Sequence, residues 1–146
     1  MYPMLQHAHS GLRWLVLLFL VLAIVNAATK WNGQTPFGSK DKRLNLLALI
    51  FTHVQFLIGL GLYFISPKVQ FTAATMGDRV LRYFTVEHIS MMVIAIALIT
   101  AGYSRVKRHQ TDLKKFRATF WFYLIGLIVI LASIPWPFQG LGTGWF

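Results

Sequence analysis

The chain has 146 residues, of which 56% are hydrophobic, 15% aromatic and only 12% charged, with a formal charge of +10. A body this small exposes too much surface to hide that share of apolar side chain from water. The composition therefore excludes a water-soluble globular domain and points to a chain solvated by hydrocarbon.

Four apolar runs follow one another, at about residues 4–28, 44–65, 80–104 and 118–138. Each reaches the roughly 20 residues that cross a bilayer as a helix. Helices are expected because backbone groups in lipid must bond within their own segment, and the runs are unbroken, unlike the alternating strands of a barrel. The first span is long enough only if it starts near Pro3 and carries the polar stretch Gln6–Arg13 with it. Proline suits a first helical turn. Its apolar run exceeds a signal-peptide core and no soluble domain follows, so it is expected to be a retained span. Pro135 and Pro137 close the fourth helix, and the tail Gly140–Phe146 is expected along the outer interface. No internal repeat or second domain is visible. The expectation is one all-α domain over residues 1–146, an integral membrane four-helix up-and-down bundle.

The charges are distributed unevenly. Loop 29–43 carries Lys30, Lys40, Lys42 and Arg43, and loop 105–117 carries Arg105, Lys107, Arg108, Lys114, Lys115 and Arg117. Those ten of 14 basic residues fall at one end of a four-span bundle. By the positive-inside rule the two loops face the cytoplasm and both termini the periplasm. Charge placed this way serves orientation and anionic headgroups, not nucleic acid. Phe120, Trp121, Phe122 and Tyr123 mark one interface of the fourth helix, and Trp136 and Phe138 the other. With no cysteine there is no disulfide, thiolate metal site or thiol nucleophile. Nucleophile-elbow, phosphate-loop and H-E-x-x-H patterns are also missing, so no catalytic residue is assigned.

Ionisable residues at membrane depth are costly to place there and mark functional sites. Here they are His9, Arg13, His53, Glu87 and His88. At about 1.5 Å per residue, His9 and His88 lie within one turn of the same level, and His53 lies about 10 Å deeper. Two histidines at matched depth on facing helices are what an iron with two imidazole ligands requires. This predicts His9 and His88 as axial ligands of one haem b, with His53 as the alternative ligand. Beside His88 stand Phe84, Thr85, Met91, Met92, Ala95 and Gly102, whose small members admit a flat macrocycle or another helix. Arg13, one turn below His9, needs a partner, either a haem propionate or Glu87 in an ion pair or proton relay. On helix two, Thr52, Gln55 and Gly59 share a face distinct from that of His53, suited to helix packing or to lining a quinone. His7 and His109 are interfacial or loop residues.

Four stretches, His9-Ser-Gly-Leu-Arg-Trp14, His53-Val-Gln-Phe56 with Gly59-Leu-Gly-Leu-Tyr-Phe64, Glu87-His-Ile-Ser-Met-Met92 and Ile134-Pro-Trp-Pro-Phe138, resemble a family of small four-span bacterial membrane proteins. Its members, common in Bacteroidetes-type bacteria, are described as cytochrome b-like, and the resemblance covers nearly the whole chain. It implies a b-type haem protein of the bacterial inner (cytoplasmic) membrane that carries electrons, in or beside a quinone-linked respiratory system, an electron-transfer protein more than a stand-alone enzyme. His9, His53 and His88 fall inside these stretches. Three such histidines favour one haem over two. Two rival expectations stand beside it. One is a non-catalytic subunit of a larger membrane assembly, or of a self-associated one, whose histidines bond between helices. The other is a metal-binding or transport protein using His9, His53, His88 and Glu87 as ligands.

Overall fold

A computed structural model describes all residues, 1–146, and the chain is all helical. Its long helices are α1 (Tyr2–Thr29), α2 (Ser39–Ile65), α3 (Arg79–Arg108) and α4 (Asp112–Ala132), each long and apolar enough to cross a membrane. Pro3 sits in the first turn of α1, where its missing N–H has no helical partner to lose. The helix therefore starts early and carries Gln6–Arg13. Helix α2 begins five residues ahead of its apolar run, because the Asp41 carboxylate accepts the Gly38 N–H at 2.8 Å and caps the end.

The fourth helix departs most from its predicted bounds. It begins at Asp112 and ends at Ala132, whereas the apolar run suggested 118–138. The extra first turn carries Lys114, Lys115 and Arg117, which hydropathy cannot count as span. At the other end Pro135 bars helical backbone in the residue before it, and only a short 3-10 turn, Pro137–Gln139, follows.

Helix α1 packs on α2 and α4, and α3 packs on α4, while the α2–α3 contact is the sparsest around the ring. The core runs through Val16, Leu20, Ala23, Ala48, Ala95, Ile99, Tyr123 and Ile130. Only 25 of 146 residues are buried, and large apolar side chains such as Leu18, Val25, Leu57 and Ile128 face outward. That is the distribution expected where lipid replaces water. Small residues set the α3–α4 approach. A Cβ on Gly126 would come within 2.8 Å of Ile99, and one on Gly102 would collide with Phe122. Gly102 thus admits a helix and not a ring.

At the basic end, buried polar groups are matched in pairs. Asn45 donates to Thr119 Oγ1 at 2.7 Å, and Tyr123 donates to the Asn45 carbonyl at 2.9 Å. Asp41 accepts from Asn26 at 2.6 Å and from Lys30 at 2.7 Å. This network ties α1, α2 and α4 together at the end opposite both chain termini.

Candidate functional site

Helix α3 is not regular. Residues Tyr83–Glu87 form a π-helical turn that ends directly at His88, and such turns recur at functional sites. The wide turn offers the Thr85 carbonyl to Tyr63 of α2, whose hydroxyl donates at 2.7 Å. It also brings Tyr83 and His88 together onto one acceptor. The Ser133 carbonyl takes the Tyr83 hydroxyl at 2.6 Å and His88 Nδ1 at 2.7 Å. That carbonyl is free because α4 has just ended. A carbonyl only accepts, so Nδ1 of His88 carries the proton and Nε2 keeps its lone pair.

His9 of α1 faces His88. The ring centres are 6.5 Å apart and the planes 77° from parallel. Its Nδ1 is buried without a hydrogen-bond partner. The imidazole lies against Gly59 of α2, where a Cβ would fall 2.8 Å from Cε1. Gln55, one turn earlier, donates to the His9 carbonyl at 2.8 Å, and its own Oε1 is buried and unpartnered. These groups line a cavity of about 160 Å³ among α1, α2 and α3, with Met92 and Ala95 on its walls.

Two cations stand at the mouth of this cavity. Arg13 donates from Nη2 to the Trp145 carbonyl at 2.6 Å, with its guanidinium near the Trp14 and Trp136 rings, 5.4 and 5.8 Å from their centres. Its Nε is buried and unpartnered. Lys68 donates to the carbonyls of Gly142 at 2.6 Å and Leu141 at 3.2 Å, and burial lowers its pKa below the ordinary lysine value. Gly140 and Gly142, both at φ +67, turn the chain back, and Leu141 is buried. The tail expected along the outer interface therefore folds over the cavity mouth, drawn there by two cations that have no carboxylate.

Two of the candidate residues, Glu87 and His53, do not line the cavity. Glu87 is paired with Arg82 at 2.8 Å and is exposed. The expected Arg13–Glu87 pair is not formed, because the π turn brings Glu87 to a basic residue of its own helix and the tail supplies Arg13 with a carbonyl. His53 donates from Nδ1 to the Leu49 carbonyl at 2.8 Å and accepts the Thr100 hydroxyl at Nε2, 3.3 Å away. Both its ring nitrogens are engaged, and it does not line the cavity. No three metal-ligating side chains converge, so a single site built from His9, His53, His88 and Glu87 is not assembled.

The residues missed by sequence reasoning are mainly backbone partners: the Ser133 carbonyl and the tail carbonyls that Arg13 and Lys68 hold. Pro135, two residues beyond Ser133, was the one available signal for the first. No family model, curated protein or solved structure matches the chain, so its function is argued from this site.

Proposed function

We propose that the chain is a b-type haem protein of the bacterial inner membrane that carries electrons, with His9 and His88 as the residues that would hold a single haem. The observation that carries this reading is the 6.5 Å spacing of the two imidazoles. Rings that share one metal ion at about 2.0 Å per bond have centres roughly 6 Å apart. The donor chemistry agrees: His88 keeps a lone pair on Nε2, and His9 has no competing partner.

A bound haem supplies one-electron oxidation and reduction at its iron. The chain's own groups hold and tune it. The Ser133 carbonyl fixes the orientation and tautomer of His88. Gly59 leaves room for the His9 ring, while Met92 and Ala95 help keep water away. Arg13 and Lys68 offer positive charge to acidic substituents at the mouth. The cavity, about 160 Å³, is smaller than the roughly 300–1,000 Å³ of ordinary ligand pockets. A macrocycle would therefore need the walls of this cavity to part.

The test is expression in a haem-competent bacterium, purification in detergent, and reduced-minus-oxidised visible spectra. Sharp reduced α and β bands with a shifted Soret band are expected. They should be lost in His9→Ala and His88→Ala and kept in His53→Ala. A protein that stays colourless when haem is supplied would overturn this reading and favour a non-catalytic membrane subunit of a larger assembly.

A further inference from the structure

At the end of the bundle opposite the His9–His88 site, a second cavity of about 330 Å³ lies at the seam of α2 and α3. Three lysines line it, each from a different helix: Lys42 in the first turn of α2, Lys107 in the last turn of α3 and Lys115 in the first turn of α4. No acidic residue lines it.

The chain has four acidic side chains, and three of them are placed elsewhere. Asp41 is taken by Lys30 and Asn26. Asp78 caps the start of α3 through the Leu81 N–H at 2.9 Å, and Glu87 pairs with Arg82. The fourth, Asp112, makes only a long ion pair with Lys115, at 3.9 Å one turn along the same helix, and leaves Lys42 and Lys107 without a carboxylate. The lysines instead lean on aromatic faces, Lys107 at 5.6 Å from the Tyr103 ring centre and Lys115 at 5.7 Å from that of Phe37. Three ammonium groups around one concavity repel one another unless an anion joins them.

We propose that this cavity binds the phosphate of an anionic lipid, with Lys42, Lys107 and Lys115 as its counter-charges and the Tyr103 hydroxyl as a further donor. All three lysines lie within a turn of a helix end, the level at which a bilayer presents headgroups. Basic pockets between spanning helices are a recurrent headgroup site. The cavity opens on the α2–α3 seam, the sparsest helix contact around the ring.

The experiment titrates the detergent-purified full chain with phosphatidic acid, phosphatidylcholine or inorganic phosphate and counts bound molecules by native mass spectrometry. One phosphatidic acid per chain is expected, with phosphatidylcholine weaker. The variant K42Q/K107Q/K115Q should lose affinity about 100-fold, from about fivefold per lysine near the surface. A control of equal charge outside the cavity, K40Q/R108Q/K114Q, should lose clearly less than the cavity variant, because exposed charges farther from the phosphate are screened by salt. Equal loss in the two triple variants would mean diffuse surface attraction and would overturn the site. Displacement of the lipid by an equal concentration of inorganic phosphate would overturn the lipid assignment in favour of a soluble anion. Neither result depends on whether haem is bound at the other end.

Discussion

His9 is buried without a partner for Nδ1, and burying an unbonded polar group costs on the order of 1–3 kcal/mol. A fold gains nothing from this imidazole unless something binds it. Replacing it by an apolar side chain should therefore help the empty protein. His9→Leu is expected to raise stability to denaturant by about 1 kcal/mol while abolishing the Soret band. A drop in stability would mean that His9 is a structural residue. His88 behaves differently, because it occupies the Ser133 carbonyl. Two glycines sharpen the contrast. Gly59→Ala pushes a methyl against His9 and Gly102→Ala pushes one against Phe122, and overpacking of either kind costs about 1–3 kcal/mol. Both variants should melt lower than the parent, but only Gly59→Ala should shift the visible spectrum of haem-loaded protein.

At the scale of elements, the π turn and the tail hold the site together, and neither has a hydropathy signature. The Tyr63 hydroxyl satisfies the Thr85 carbonyl across the loosest helix seam. Tyr63→Phe removes that hydrogen bond and should cost about 1 kcal/mol. The loss should appear as faster amide exchange in the first turns of α3, with α4 unaffected. The tail offers a second reading. If haem and tail compete for Arg13 and Lys68, chymotrypsin should cut near Phe138 and Trp145 faster in haem-loaded than in haem-free protein. Unchanged cutting would show that the tail stays in place. The spans themselves were legible, because some 20 apolar residues leave few alternatives in lipid. The start of α1 was legible from Pro3, but the starts of α2 and α4 were not: caps such as Asp41 and basic first turns such as Lys114–Arg117 lie outside the hydrophobic run. The matched depth of His9 and His88 was legible from rise per residue. The Arg13–Glu87 pair was misjudged, since the same arithmetic assumes a regular helix and the π turn intervenes.

For the whole molecule, the basic residues are unevenly placed, with ten of 14 at the end opposite the termini. At the end that holds the termini, Arg82 is paired with Glu87, and Arg13 and Lys68 are drawn into contacts with the tail. At the opposite end only Lys30 has a close carboxylate, at 2.7 Å, and the other basic residues there have no comparably close partner. Orientation by the positive-inside rule responds to such an excess in short loops beside the spans, which predicts that the Lys-rich end faces the cytoplasm. The absence of cysteine makes this directly measurable, because each introduced thiol is the only one. Gln34, Ala73 and Gln110 are all exposed in loops. In intact bacteria with a permeable outer membrane, a membrane-impermeant maleimide should label Ala73→Cys before lysis. It should label Gln34→Cys and Gln110→Cys only after lysis. The reverse pattern would invert the bundle and move the His9–His88 cavity to the cytoplasmic half. Labelling of Gln34→Cys and Gln110→Cys on opposite sides would break the four-span arrangement itself.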